Sequence, residues 1–166
     1  MFTLKPLRKE SIPSAIEKAR HYRLLNEPLQ AESICLDILE IDPSHSEALV
    51  TLLLALTDQF DHDLKGRFKK AREILGRFKD EYKKIYYGGI ICERRANVHR
   101  KRHLPGSNHV AYEWYVQAMK CYEDAAKMSP PENDDAVLRW NTCARILMRH
   151  PELEPDVESR APFLLE

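Results

Sequence analysis

The chain has 166 residues, of which 43% are hydrophobic and 31% are charged, with only 5 glycines and a formal net charge of zero. This composition favours a folded, helix-rich protein and excludes an intrinsically disordered chain. No stretch approaches the roughly 18 apolar residues of a membrane span, and the first residues lack the apolar core of a secretion signal. We therefore expect a cytoplasmic protein that does not enter a membrane.

Charge is distributed unevenly along the chain. Residues 63–103 carry 14 Lys and Arg against 5 Asp and Glu, whereas the segments before and after them are net acidic. Such asymmetry is typical either of an electrostatic binding surface or of helix faces that are simply solvated.

The first half of the chain predicts four helices, because apolar residues recur at helical spacing between proline-bearing breaks. The first two helices form a hairpin around Pro28, and residues 46–56, which are apolar almost all round, predict the most buried helix. Residues 61–63 join this helix to a basic one. The apolar stripes of the hairpin are Ala15, Ile16, Ala19 and Tyr22, then Leu29, Ile34, Cys35, Ile38 and Leu39.

The second half predicts three more helices. Two long ones, the first over residues 82–103 and the second through residues 112–125, are separated by Pro105 and Gly106. The last covers residues 133–149, and its acidic start suits a helix N-terminus. No segment alternates apolar and polar residues as a strand does. We predict an all-α chain of seven helices, with an N-terminal extension over 1–11, a helical domain over 12–149 and an acidic tail over 150–166.

Parts of this pattern resemble the tetratricopeptide repeat, a helix hairpin of about 34 residues with small and large residues at fixed spacing before a proline. Cys35 and Ile38 depart from that pattern. The spacings from Ala31 to Ala71 and from Ala71 to Ala118, 40 and 47 residues, exceed the regular period. The matching residues are Ala19, Tyr22, Ala31 and Pro43, then Ala118, Tyr122, Ala125 and Pro130, then Trp140, Cys143, Ala144 and Leu147.

The resemblance covers roughly residues 12–149. It implies a right-handed α-solenoid of antiparallel helix hairpins, with about three repeats, irregular in the middle, plus a capping helix. In function it implies a protein-interaction module or adaptor that has no catalytic activity.

In this family the first helix of each hairpin lines a concave groove that holds an extended peptide or the tail of a partner. The resemblance, with Ala19, Gly89 and Ala144 as the small residues at close helix contacts, places polar side chains in that groove. Guanidinium groups beside an amide suit carboxylates, so the expected partner is an acidic protein segment. The alternative is that these arginines pair with nearby Glu and Asp. The predicted groove residues are Arg20, Arg23, Tyr86, Arg94, Asn141, Arg145 and Arg149.

The densest basic run, residues 93–103, suggests an alternative function. Phosphate contacts would explain its charges, which would make the chain a nucleic-acid-associated accessory protein that uses the helix over residues 94–103. The chain carries no recognised nucleic-acid module, however, and the run continues a helix that needs a solvated face. An acidic protein partner is therefore the favoured interpretation.

The predicted tail combines acidic residues, including Glu158 and Glu166, with Phe163, Leu164 and Leu165. Two interpretations are open. The tail docks in the basic groove of its own chain or of a neighbouring chain, or its apolar residues cover the exposed end of the solenoid. Self-association through the repeat ends or the tail is a further expectation.

Enzymatic chemistry is not indicated by the sequence. Cys92 and His99, like Cys143 and His150, are seven residues apart, which is about 10 Å along a helix and too far for direct proton transfer. Residues 61–63 are interpreted as a helix cap rather than as metal ligands. The four cysteines contain no Cys-x-x-Cys pair and are predicted to be reduced packing residues. We expect no catalytic residue, cofactor or metal.

Overall fold

The structure, a computed structural model, describes residues 1–156. In this range the chain is all-helical, with seven α-helices and no strand, and one turn of 3-10 helix over Lys9–Ser11 precedes them. The predicted all-α class and number of helices are confirmed. The helices are α1 (Ile12–Leu24), α2 (Pro28–Ile41), α3 (Ser46–Thr57), α4 (Leu64–Gly76), α5 (Glu81–Arg102), α6 (Ser107–Met128) and α7 (Asp135–Arg149).

The chain divides into two compact units, and the boundary falls after Lys84, within the first turn of α5. In the first unit α1 packs on α2, α2 on α3 and α3 on α4, and α1 also touches α3. Eight of the 12 residues of α3 are buried, more than in any other described helix. The prediction that this apolar segment is the most buried helix is confirmed.

The hairpin of α1 and α2 is set by a turn that the sequence encodes. Asn26 adopts a left-handed backbone with φ of 59°. The N–H of Asn26 then donates to the carbonyl of Arg23 (3.0 Å) and the N–H of Glu27 to that of Tyr22 (2.9 Å), which satisfies the last carbonyls of α1. Pro28 opens α2, where its missing N–H costs no hydrogen bond.

Side chains cap the next two helices. The Nδ1 atom of His45 accepts from the N–H of Ala48 at the start of α3 (3.2 Å), and Asp63 Oδ1 accepts from the N–H of Gly66 at the start of α4 (3.0 Å). Such bonds satisfy N–H groups that have no partner within the helix. The interpretation of residues 61–63 as a helix cap is confirmed for Asp63.

In the second unit α6 and α7 form an antiparallel hairpin. Trp140 Nε1 on α7 donates to Glu123 Oε1 on α6 (3.0 Å), and beyond the end of α7 the Glu154 carbonyl lies 2.8 Å from His109 Nδ1 at the start of α6. From the first contact to the second, the residue number rises on the α7 side, from 140 to 154, and falls on the α6 side, from 123 to 109. Residues 150–156 therefore lie beside the first turn of α6.

Close contact between α5 and α6 depends on Gly89. A Cβ atom at this position would lie 2.6 Å from Cε1 of the fully buried Tyr122, which is far inside contact distance. The prediction that this glycine serves close helix packing is confirmed. The cysteines also follow expectation, since all four are free, Cys35, Cys92 and Cys143 are buried and Cys121 is partly buried.

Some details of the sequence interpretation are wrong. Leu29 is 64% exposed, because it lies about 200° around α2 from the buried Ala31. The last helix begins at Asp135 rather than Asn133, because the Asn133 side chain accepts a hydrogen bond from the N–H of Asp135 (3.0 Å) and so forms a turn ahead of the helix. The buried small residues of α7 are Ala136 and Cys143, whereas Ala144 is only half-buried.

Candidate partner-binding face

Two of the predicted groove residues lie on α1 in the first unit. Arg20 forms an ion pair with Glu47 of α3, and Arg23 Nε donates to Asp58 Oδ2 at the end of the same helix (2.5 Å). The Arg20 pair is exposed, whereas the Arg23 pair is largely buried. Both guanidinium groups are therefore engaged by carboxylates of their own unit, as the alternative interpretation of these residues expects.

A second pair of predicted groove residues, Tyr86 and Arg94, lies on α5. The Tyr86 ring packs edge-on against Tyr87 (centroids 5.1 Å apart) and at a tilt against Tyr122 (5.9 Å). Arg94 is half-buried. The Tyr86 ring thus contributes to the packing of the second unit.

The interior of the second unit contains a charged network that the sequence did not reveal. Glu93 is only 4% exposed, and it accepts hydrogen bonds from the Tyr122 hydroxyl (2.6 Å) and from Arg139 Nη1 of α7 (3.1 Å). Burial and the neighbouring carboxylate of Glu93 hold the pKa of Tyr122 far above its usual value, so its hydroxyl stays a donor. A buried carboxylate is stable only when paired in this way. The network fixes α7 to α5.

The basic run of α5 is partly committed to contacts within its own unit. The Arg95 guanidinium stacks over the Trp114 ring at 4.2 Å, and Arg100 Nε donates to the Tyr115 hydroxyl (3.2 Å), which itself donates to Asn97 (2.5 Å). Cation–π and hydrogen-bonding contacts of this kind hold α6 against α5. They also reduce the number of cations that the run can offer to phosphates.

The outer face of α7 brings together three predicted residues, Asn141, Arg145 and Arg149. Arg145 and Arg149 are exposed and make no ion pair within residues 1–156. The same face carries Leu138 and Met148, which are 62% and 80% exposed. At helical spacing these five residues form one stripe. We call this stripe the α7 outer face.

The combination of arginines that are unpaired in the described part of the chain with exposed apolar side chains distinguishes the α7 outer face from the other predicted groove residues. Guanidinium groups without a counter-ion attract carboxylates, and large exposed apolar side chains beside them offer area that a partner can desolvate. The opposite face of α7 is fixed by Ala136, Arg139 and Cys143 against the rest of the unit. The stripe is therefore presented on a rigid element, which favours defined binding geometry.

Cys143 and His150, the second Cys–His pair considered from the sequence, have separate surroundings. Burial raises the pKa of the Cys143 thiol to about 12, so it is protonated at neutral pH, and His150 Nδ1 lies 2.9 Å from Glu152 instead. Over residues 1–156 no group of three or more His, Cys, Asp and Glu side chains could hold a metal ion. None of the helices in this range combines the length and the apolar character of a membrane span.

Comparison of the chain with protein-family models, with curated proteins and with solved structures finds no match. The tetratricopeptide resemblance therefore stays a prediction that depends on the residues quoted for it.

Proposed function

We propose that this chain is a non-catalytic interaction module that binds an acidic, apolar segment of a partner protein on the α7 outer face. The observation that carries the proposal is the pair of exposed arginines, Arg145 and Arg149, without a described counter-ion and beside exposed Leu138 and Met148. Of the groove residues predicted from the sequence, the proposal keeps only the three that lie on α7, Asn141, Arg145 and Arg149. Arg20 and Arg23 are left out, because their charges are met by Glu47 and Asp58.

The chemistry of the face specifies the partner. Each guanidinium can bind a carboxylate through two parallel hydrogen bonds, which gives orientation as well as attraction. Exposed leucine and methionine side chains add apolar contact, and methionine adapts its shape to different ligands. A segment with Glu or Asp near Leu or Phe satisfies both requirements, whereas a purely acidic one leaves the apolar side chains in water.

The architecture that we propose is a tetratricopeptide-like α-solenoid of about three repeats with α7 as its capping helix, in a cytoplasmic protein. Support comes from consecutive helices that pack on one another within each unit, and from small residues at the helix contacts, such as Ala19, Ala31 and Gly89. In such a solenoid the outer face of a capping helix is not covered by a further repeat.

Selection of peptides tests the proposal directly. A random peptide library is selected on the full chain and counter-selected on an Arg145→Ala/Arg149→Ala variant, and the affinity of each selected peptide is measured by calorimetry. We expect ligands rich in Glu or Asp beside Leu or Phe, and a loss of affinity in the variant of about tenfold or more, or about 1.4 kcal/mol.

The matched control is Lys69→Ala/Lys70→Ala, which removes two exposed positive charges from α4 in the first unit. It should leave peptide affinity within about twofold, because neither lysine belongs to the α7 outer face and exposed charges that make no direct contact with a ligand are screened by salt. Equal losses in both variants would mean that net charge alone governs binding and would contradict the proposal.

Nucleic-acid binding is the alternative, and exposed Lys101 and Arg102 at the end of α5 favour it. It predicts that a single-stranded oligonucleotide binds with an affinity that falls steeply with salt and drops in Lys101→Ala/Arg102→Ala. The proposed peptide ligand should be insensitive to that substitution.

A further inference from the structure

The segment that follows α7 has a defined starting point. Leu153 is buried, and the carbonyl of Glu154 is held by His109 at the first turn of α6. Because α6 and α7 are antiparallel, this turn lies next to the C-terminal end of α7. The chain at Asp156 therefore stands close to the end of α7 that bears Arg149.

Residues 157–166 lie outside the described part, and so do the two predicted roles of the tail. Their sequence offers a carboxylate, Glu158, that can pair with an arginine of the α7 outer face, and three apolar side chains, Phe163, Leu164 and Leu165, that can contact its exposed apolar side chains; the single cation of the segment is Arg160. Arg149 and Leu138 are 11 residues apart, or about 16 Å along the helix. Glu158 and Phe163 span about the same distance in an extended chain.

We propose that residues 157–165 occupy the α7 outer face of the same chain and compete there with the partner segment. This inference rests on the proposed function, since it names a regulator of the same surface. The nine residues from Val157 to Leu165 reach about 30 Å when extended, which exceeds the length of α7, about 22 Å. The segment can therefore turn back after Asp156 and follow the helix.

Attachment favours this occupant over a second molecule. A segment joined to its site by a short linker has an effective concentration of the order of millimolar, so modest intrinsic affinity is enough to cover the face. A partner must then displace the segment, and its apparent affinity is reduced by the fraction of chains in which the face is covered. A partner with more carboxylates or a larger apolar anchor would overcome this competition.

The experiment uses a fluorescent synthetic peptide with the sequence of residues 156–166, and its binding to the full-length protein is measured by anisotropy. In the tail variant, Phe163→Ser/Leu164→Ser/Leu165→Ser, the attached segment is weakened while the helices are unchanged in sequence. We expect this variant to bind the peptide about fivefold tighter than the wild type, or more, because the internal competitor is lost. Adding Arg145→Ala/Arg149→Ala should abolish the gain.

The matched control is Leu24→Ser/Leu25→Ser, which removes exposed apolar side chains at the α1–α2 turn and should leave binding at the wild-type level. Equal affinity of wild type and tail variant, or no binding to either, overturns the inference. A gain that persists without the two arginines also overturns it. Neither result decides the proposed function, because the selected partner peptides test the face independently.

A cross-link provides a second readout. Benzoylphenylalanine at position 163 should, on illumination, label α7 within a single chain, with the exposed Leu138 as the nearest target. Labelling of another helix, or cross-linked dimers as the main product, would overturn the assignment to the α7 outer face of the same chain.

Discussion

The two compact units differ in how deeply they bury a carboxylate. The first unit places an apolar helix, α3, at its centre, and the carboxylates of its described ion pairs stay at least 13% exposed. The second unit buries a carboxylate, Glu93, together with Tyr122 and links it to Arg139. Interior ion pairs contribute specificity of packing more than net stability. The second unit therefore adds a buried polar network to its apolar core.

The same comparison explains which arginines remain for a partner. In the first unit Arg23 and Arg67 are neutralised by Asp58 and Glu32, both largely buried. In the second unit Arg139 is paired with the buried Glu93, whereas Arg145 and Arg149, about two and three turns further along α7, are exposed. Predictions that separate the two units can use tryptophan fluorescence, because both tryptophans, 114 and 140, lie in the second unit.

The largest effect is expected from Glu93→Ala. It leaves Arg139 without its carboxylate and the buried Tyr122 hydroxyl without an acceptor, which should cost about 3–5 kcal/mol of unfolding free energy. Urea unfolding followed by tryptophan fluorescence measures the change.

The control for this prediction is Glu47→Ala in the first unit, whose urea unfolding is followed by far-UV circular dichroism because this unit has no tryptophan. It removes an ion pair in which both partners are about half exposed, so the free energy of unfolding should fall by no more than about 1 kcal/mol. Similar losses in the two variants would contradict the contrast between the units.

High pH should destabilise the second unit through Cys143. Burial raises the pKa of this thiol from 9.0 to about 12, so folding favours the protonated form. That contribution is complete below about pH 9 and is lost as pH rises toward 12. At pH 11 the loss should be about 2–3 kcal/mol.

The measurement compares urea unfolding at pH 8 and pH 11 for the wild type and for Cys143→Ala, again by tryptophan fluorescence. The variant should show a smaller difference between the two pH values, whatever its stability at pH 8. An identical pH dependence would mean that the thiol does not titrate in this range.

A smaller effect is expected from two glycines. Gly89→Ala places a Cβ atom 2.6 Å from the Tyr122 ring and should destabilise the second unit by about 1–3 kcal/mol. Gly76→Ala, where no atom lies within 4 Å, should stabilise α4 by about 0.4–1 kcal/mol. Thermal unfolding of both variants measures the two changes. A loss of stability in Gly76→Ala would contradict the expectation that a methyl group fits there without contact.

Periodicity was sufficient to predict the all-α class and the number of helices, because each apolar stripe of the chain follows the helical period. Buried Ala118, Tyr122 and Ala125 also follow directly from their spacing. Helix boundaries were less predictable, since the capping side chain, as at Asn133, decides where a helix begins. The exposure of Leu29 could not be inferred from hydrophobicity alone, because it depends on the side of α2 on which the residue lies, about 200° from the buried Ala31.

The site was only partly predictable for a different physical reason. Whether an arginine is available depends on carboxylates distant in sequence, as with Arg23 and Asp58, which are 35 residues apart. Glu93 looks in the sequence like one acid within a basic run. One signal could have indicated its burial, namely that Tyr86, Gly89 and Glu93 lie on one face of α5, where a close packing site would enclose a charge.

The anchoring of α7 has a consequence for the rate at which a partner is captured. Arg139 is held by Glu93, so α7 itself needs no rearrangement once residues 157–165 have left its outer face. Association should then be governed by diffusion and by attraction between opposite charges, and it should slow as salt is added. The lifetime of the complex would instead follow the apolar contacts with Leu138 and Met148. A partner could thus be found quickly through its carboxylates and retained for a time that its leucines and phenylalanines determine.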